Sequence, residues 1–138
     1  MIDIEGDVFE YVASAVESSH PGTEVGDEYE KIPASFPAVT IREADNHVVQ
    51  RYRTTENIEN AAYIMYEASV YSNKKSGKKA EAKAIMQTVD DAFASIGFVR
   101  TIKTPVPNYA DATVYRIISR YVGTAIPNDD EKIDLYSD

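Results

Sequence analysis

Residues Ala61–Val122 read AAYIMYEASVYSNKKSGKKAEAKAIMQTVDDAFASIGFVRTIKTPVPNYADATVYRIISRYV. Their order of signals decides the fold. Ala61–Asn73 is rich in β-branched and aromatic residues, which suit a pleated, half-buried surface. Lys74–Lys79 (KKSGKK) sets four lysines around one glycine. Lys79–Ile96 then repeats apolar residues at helical spacing: Ala82, Ile85, Met86, Val89, Ala92, Phe93 and Ile96 share one side. Gly97 follows, where a helix end commonly takes a left-handed residue. Phe98–Thr104 and Ala110–Val122 read as extended segments joined by Pro105-Val106-Pro107-Asn108.

Working outward, Asp3–Ser19 predicts a first helix. Ile4, Val8, Tyr11, Val12, Ala15 and Val16 form its stripe, with Asp3 or Asp7 able to cap its start. Pro21-Gly22 stops it. Thr23–Ser35 reads as a polar, acidic loop, long enough to suggest contact with a neighbour. Phe36–Glu43 predicts a short strand, Ala44–His47 a turn, and Val48–Thr54 a second strand. Thr55–Asn60 connects this to Ala61. The order α, β, β, β, α, β, β predicts an α+β fold, a mostly antiparallel mixed sheet of about four to five strands packed against two helices. Residues 1–125 are expected to form one domain, and 126–138 an acidic C-terminal tail.

The composition restricts function. The 138 residues carry a net charge of −9 and no cysteine. Disulfides, thiolate chemistry and cysteine metal sites are thereby excluded. Bulk nucleic-acid binding needs Lys and Arg to neutralise phosphates, and this balance opposes it. No apolar run approaches the length of a membrane span. The start, MIDIEGDVFEYV, lacks the positive charge and apolar run of a secretory signal. Acidity concentrates in residues 24–30 (EVGDEYE) and 129–138 (DDEKIDLYSD).

The candidate chemical motifs are weak. Ser76-Gly77-Lys78-Lys79 lacks the upstream glycine and the Ser/Thr after lysine that a P-loop needs. Asp90-Asp91 are neighbours on a helix and do not face each other. His20 and His47 show no metal-ligand spacing, and no nucleophile-elbow pattern occurs. Tyr63, Tyr66, Tyr71, Tyr115 and Tyr121 fall on strands, where cross-strand packing competes with a base-stacking platform. The basic-Gly-aromatic signature of that platform is absent. No catalytic residue, metal or cofactor is expected.

The lysine loop has two readings, a solvated turn or a contact for an acidic partner. Lys78 and Lys79 oppose the helix dipole at a cost of about a few tenths of a kcal/mol, so helix stability does not explain them.

Val70-Tyr71-Ser72-Asn73, the helix ending in Ile96-Gly97-Phe98, Pro105-Val106-Pro107-Asn108, Tyr115-Arg116-Ile117 and Arg120-Tyr121 carry a resemblance. The stretch resembles the C-terminal half of tail-terminator, or tail-completion, proteins of long-tailed bacteriophages and prophages. Residues 1–60 are similar only in element order. The resemblance implies a non-enzymatic virion protein, assembled in the bacterial cytoplasm and located at the head-proximal end of the tail. It implies a homo-hexameric ring that caps the tail tube protein, stops polymerisation and docks the head–tail connector protein. DNA at most passes through the lumen, without sequence-specific binding. Its expected interface residues are Lys74, Lys75, Lys78 and Lys79, Glu28 and Glu30, and Arg116 and Arg120. The tail cluster Ile133, Leu135 and Tyr136 completes the set. Arg116 and Arg120 either make inter-subunit ion pairs or line one sheet face; the tail either docks on a neighbour or stays free. A head–tail adaptor, a tube subunit and an unrelated binding module remain alternatives.

Overall fold

The computed structural model describes residues 4–27, 35–48, 62–107, 113–127 and 133–136. It contains α1 (Glu5–Ser19), β1 (Glu24–Gly26), β2 (Ala38–Val48), β3 (Ala62–Ser72), α2 (Lys78–Ser95), β4 (Val99–Val106), β5 (Tyr115–Pro127) and β6 (Ile133–Tyr136). The strands form one mixed sheet in the order β1-β2-β3-β5-β4, with β6 also paired to β5. Among the described strands, the β1–β2 pair is parallel and the other pairs are antiparallel. The fold is α+β. Because β3 and β4 are both antiparallel to β5, they run the same way, and α2 spans the crossover between them.

Alternation on β3 and β5 sorts the sheet into two faces. Ile64, Tyr66, Ala68 and Val70 of β3, with Ile117 and Tyr121 of β5, are buried beneath the helices. Val8, Val12 and Val16 of α1 and Ile85, Met86, Val89 and Phe93 of α2 close over them. Four rings lock this layer together. Phe93 stacks on Tyr121 at 4.3 Å between centroids, and Tyr66 and Phe98 meet Phe93 at 5.7 and 5.5 Å.

The C-terminus of α2 sets the position of Phe98. Gly97 takes φ +90°, a conformation that costs little without a Cβ. The Gly97 N–H then bonds the Ala94 carbonyl at 3.1 Å and the Phe98 N–H bonds the Phe93 carbonyl at 3.0 Å. This pairing closes the helix and brings Phe98 against Phe93, the apolar contact that accompanies such a stop. Phe98 also needs Gly123 on β5. A Cβ there would lie 2.9 Å from the Phe98 ring.

Several sequence expectations change. α1 starts at Glu5 behind Ile4, without a side-chain cap; Asp7 lies inside its first turn and Asp3 lies outside the described residues. Tyr11 does not join the buried stripe. It is exposed, and its hydroxyl meets Ser95 Oγ at 2.6 Å. The Thr23–Ser35 loop contains β1, whose three residues pair with the start of β2. Ala44–His47 is not a turn. β2 continues through it to Val48, with a register shift between Glu43 and Asp45, so one long bulged strand replaces two. The remainder of the expected second strand, residues 49–54, and the connection 55–60 lie outside the described residues. β5 spans Tyr115–Pro127, across the expected start of the tail, and residues 110–112 of the expected strand lie outside the described residues. Ile133–Tyr136 is not a detached end; its backbone pairs with Thr124–Pro127.

The ring cluster generates a prediction. Phe93→Ala should lower the unfolding free energy by about 3–5 kcal/mol, and Gly123→Ala by about 1–3 kcal/mol through overpacking. Urea unfolding followed by circular dichroism checks both. Equal midpoints for Phe93→Ala and the parent chain would contradict the core described here.

Candidate interaction faces

Both helices lie on one side of the sheet. Among the described residues, no helix or strand packs over the other side. That open face is organised by register. Arg42 of β2, Glu67 of β3, Arg120 of β5 and Ile102 of β4 are direct cross-strand neighbours in one row. Glu67 sits at its centre. Its side chain is 8% exposed, while those of Arg42 and Arg120 are 44% and 47% exposed. Arg120 Nε donates to Glu67 Oε2 at 3.0 Å, and Arg42 Nη2 donates to Oε1 at 3.3 Å. A nearly buried carboxylate is expensive unless paired. Here each oxygen accepts from a different strand, which also fixes the register of β2, β3 and β5.

A second row lies closer to the start of β2. Arg116 Nη2 donates to Ser69 Oγ at 3.2 Å, and its guanidinium lies 5.5 Å from the Tyr71 ring centroid. Tyr71 joins Ala38 and Val114 in a small buried cluster, with Phe36 against it. At the β4 edge the surface becomes apolar: Val99 is 56% exposed and Ile102 44%.

The lysine loop follows β3 at the same end as Tyr71. Lys74, Lys75 and Lys79 are exposed, and among the described residues none forms an ion pair. Lys78 differs, since its Nζ donates to the Thr113 carbonyl at 3.2 Å and ties the start of α2 to the approach to β5. Ser72, fully buried, donates to Glu81 Oε1 at 2.7 Å and anchors the other side of the loop. Glu81 thus brings negative charge to the first turns of α2, where it suits the dipole.

The structure therefore divides the expected interface residues. Lys74, Lys75 and Lys79 stand together as a free basic tip. Lys78, Arg116 and Arg120 contact groups of their own chain, and the two arginines line the open face. Ile133, Leu135 and Tyr136 belong to β6, and Glu28 and Glu30 lie outside the described residues. Sequence reading missed Arg42 and Glu67. The available signal was Glu67 itself, the one charged residue of β3 (AYIMYEASVYS).

Among the described residues no group of three or more His, Asp or Glu side chains could hold a metal ion, and no helix is long and apolar enough to cross a membrane. Burial pushes the Tyr121 phenol far above its usual range. It stays protonated inside the core and donates to Met86 Sδ at 3.8 Å. His20 Nε2 meets Thr88 Oγ1 at 2.9 Å and joins α1 to α2. No family model matches this chain, and no curated protein matches it.

The Arg–Glu–Arg row makes a second prediction. Glu67→Ala should cost about 1–3 kcal/mol, since charged hydrogen bonds are lost and two guanidiniums are left together. Arg42→Ala and Arg120→Ala should each cost less, because the other arginine remains on the carboxylate. Urea unfolding of the three variants tests this ranking, which fails if Glu67→Ala is the mildest.

Proposed function

We propose that this chain is a structural protein of a long-tailed bacteriophage. It forms a ring on the head-proximal end of the tail tube, ends tube growth and presents the docking surface for the head connector. The observation that carries this reading is the resemblance of Ala61–Val122 to tail terminators. Those residues supply β3, the lysine loop, α2, β4 and most of β5, and with them most of the open face.

A cap turns over no substrate. It needs one surface that matches the tube end, an opposite surface that rejects another tube subunit, and a repeated contact whose rotation closes a ring. The free lysines Lys74, Lys75 and Lys79 suit an acidic partner at one end of the subunit. The excess of acidic residues over the whole chain, net −9, suits a lumen past which DNA moves without sticking.

A reconstitution tests the reading. Purified tube protein is allowed to polymerise with and without this chain, and tube lengths are measured by electron microscopy. Capping at one end with arrested growth is the expected result. Unchanged growth, with this chain bound to connector rings alone, would replace the terminator by an adaptor.

A further inference from the structure

The proposal concerns how copies meet, and it rests on the ring reading above. Among the described residues, the exposed large hydrophobics are Tyr11, Val99 and Ile102. They fall on opposite sides of the molecule. Val99 pairs with Val122 and Ile102 with Arg120, placing both on the open sheet face. Tyr11 lies on the outer side of α1, in a shallow groove lined by Asp7, Glu10, Tyr11, Ser14, Ala15 and Ser18.

Charge divides in the same way. The open face holds Arg42, Arg116 and Arg120 against Glu67 and, at its far end, Asp45, which is itself bound to His47 at 3.0 Å. α1 carries Glu5, Asp7, Glu10 and Glu17 and neither Lys nor Arg. Asp7, Glu10 and Glu17 are exposed. Each guanidinium has five N–H donors, of which Glu67 takes one from Arg42 and one from Arg120.

We propose that the open sheet face of one copy packs on α1 of a second copy. Val99 and Ile102 lie against Tyr11, and Arg42 and Arg120 face Asp7, Glu10 and Glu17. A two-fold contact through either surface alone would set arginines on arginines or acids on acids, and like charges across an interface cost several kcal/mol. The contact is therefore head-to-tail, the kind that closes into a ring when its rotation permits. Strand addition at the sheet edges is disfavoured. β4 carries a register shift between Arg100 and Ile102, together with Lys103 and Pro105; at the other edge β1 is three residues long, and β2 beyond it carries its own shift at Glu43/Asp45. Bulges, lysine and proline are devices that block edge pairing. A stable contact needs about 800 Å² from each partner, near a tenth of the 7958 Å² surface described.

Native mass spectrometry of the full chain at low salt tests this with two variants. Asp7→Lys with Glu10→Lys reverses the α1 surface. Ile102→Asp spoils the sheet surface while leaving the Glu67 row intact. Both changes lie at exposed positions, and circular dichroism verifies folding. The parent chain is expected as a closed oligomer, and each variant as a monomer with association weakened about a hundredfold or more. Mixing the two variants should restore a one-to-one dimer that grows no further, because one keeps an intact sheet face and the other an intact α1. Variants that keep the parent oligomer size would overturn the head-to-tail packing and leave the ring standing. Monomeric variants whose mixture also stays monomeric would overturn it too. A parent chain that remains monomeric, alone and with tube protein, would overturn both the packing and the ring.

Discussion

The stacking of Phe93 on Tyr121, with Tyr66 and Phe98 closing around it, is the contact on which the structure depends. It joins α2 to the two central strands and fixes where the helix ends, since Phe98 reaches the cluster only through the left-handed Gly97 and over the bare backbone of Gly123. Once α2 is held there, α1 packs beside it, and both helices occupy one side of the sheet. Burial of the Tyr121 phenol follows from the same contact. So does the open face opposite, because no described element remains to cover it. Its centre is stabilised differently, by one carboxylate shared between two arginines. The two sides of the sheet thus rely on different physics, apolar packing beneath the helices and paired charge at the centre of the opposite face.

This division explains what the sequence reveals. Helix α2 and its stop are legible because a helix carries its own period, and Gly97 marks its end whatever surrounds it. β3, β4 and β5 are legible from residue type. The polar run Ala44–His47 misleads because bulge residues are exposed and polar, just as turn residues are; only the partner strand tells them apart. β1 is three residues long, too short for any period, and exists by pairing with β2. Tyr11 fits the α1 stripe by spacing, yet its hydroxyl finds Ser95 on α2 at the surface, a choice set by how the helices pack.

The candidate site was the least legible part. Arg42, Glu67 and Arg120 are separated by 25 and 53 residues, and they meet only because the register of three strands brings them into one row. No local pattern encodes that. The lysine loop was legible as a charged turn, but the division between Lys78, spent on the Thr113 carbonyl, and its three free neighbours depends on where β5 begins. The functional reading joins these parts. A small acidic chain with a basic tip and an arginine-bearing sheet face that no described helix or strand covers offers charged surfaces for contact with protein.

The claim that this chain ends tail growth is tested most directly by tail length. Lysates of the parent phage lacking this chain would be viewed by negative-stain microscopy. The account predicts overlong tails without attached heads. Tails of normal length beside full, tailless heads would contradict termination, and intact infectious virions would contradict any role in the tail.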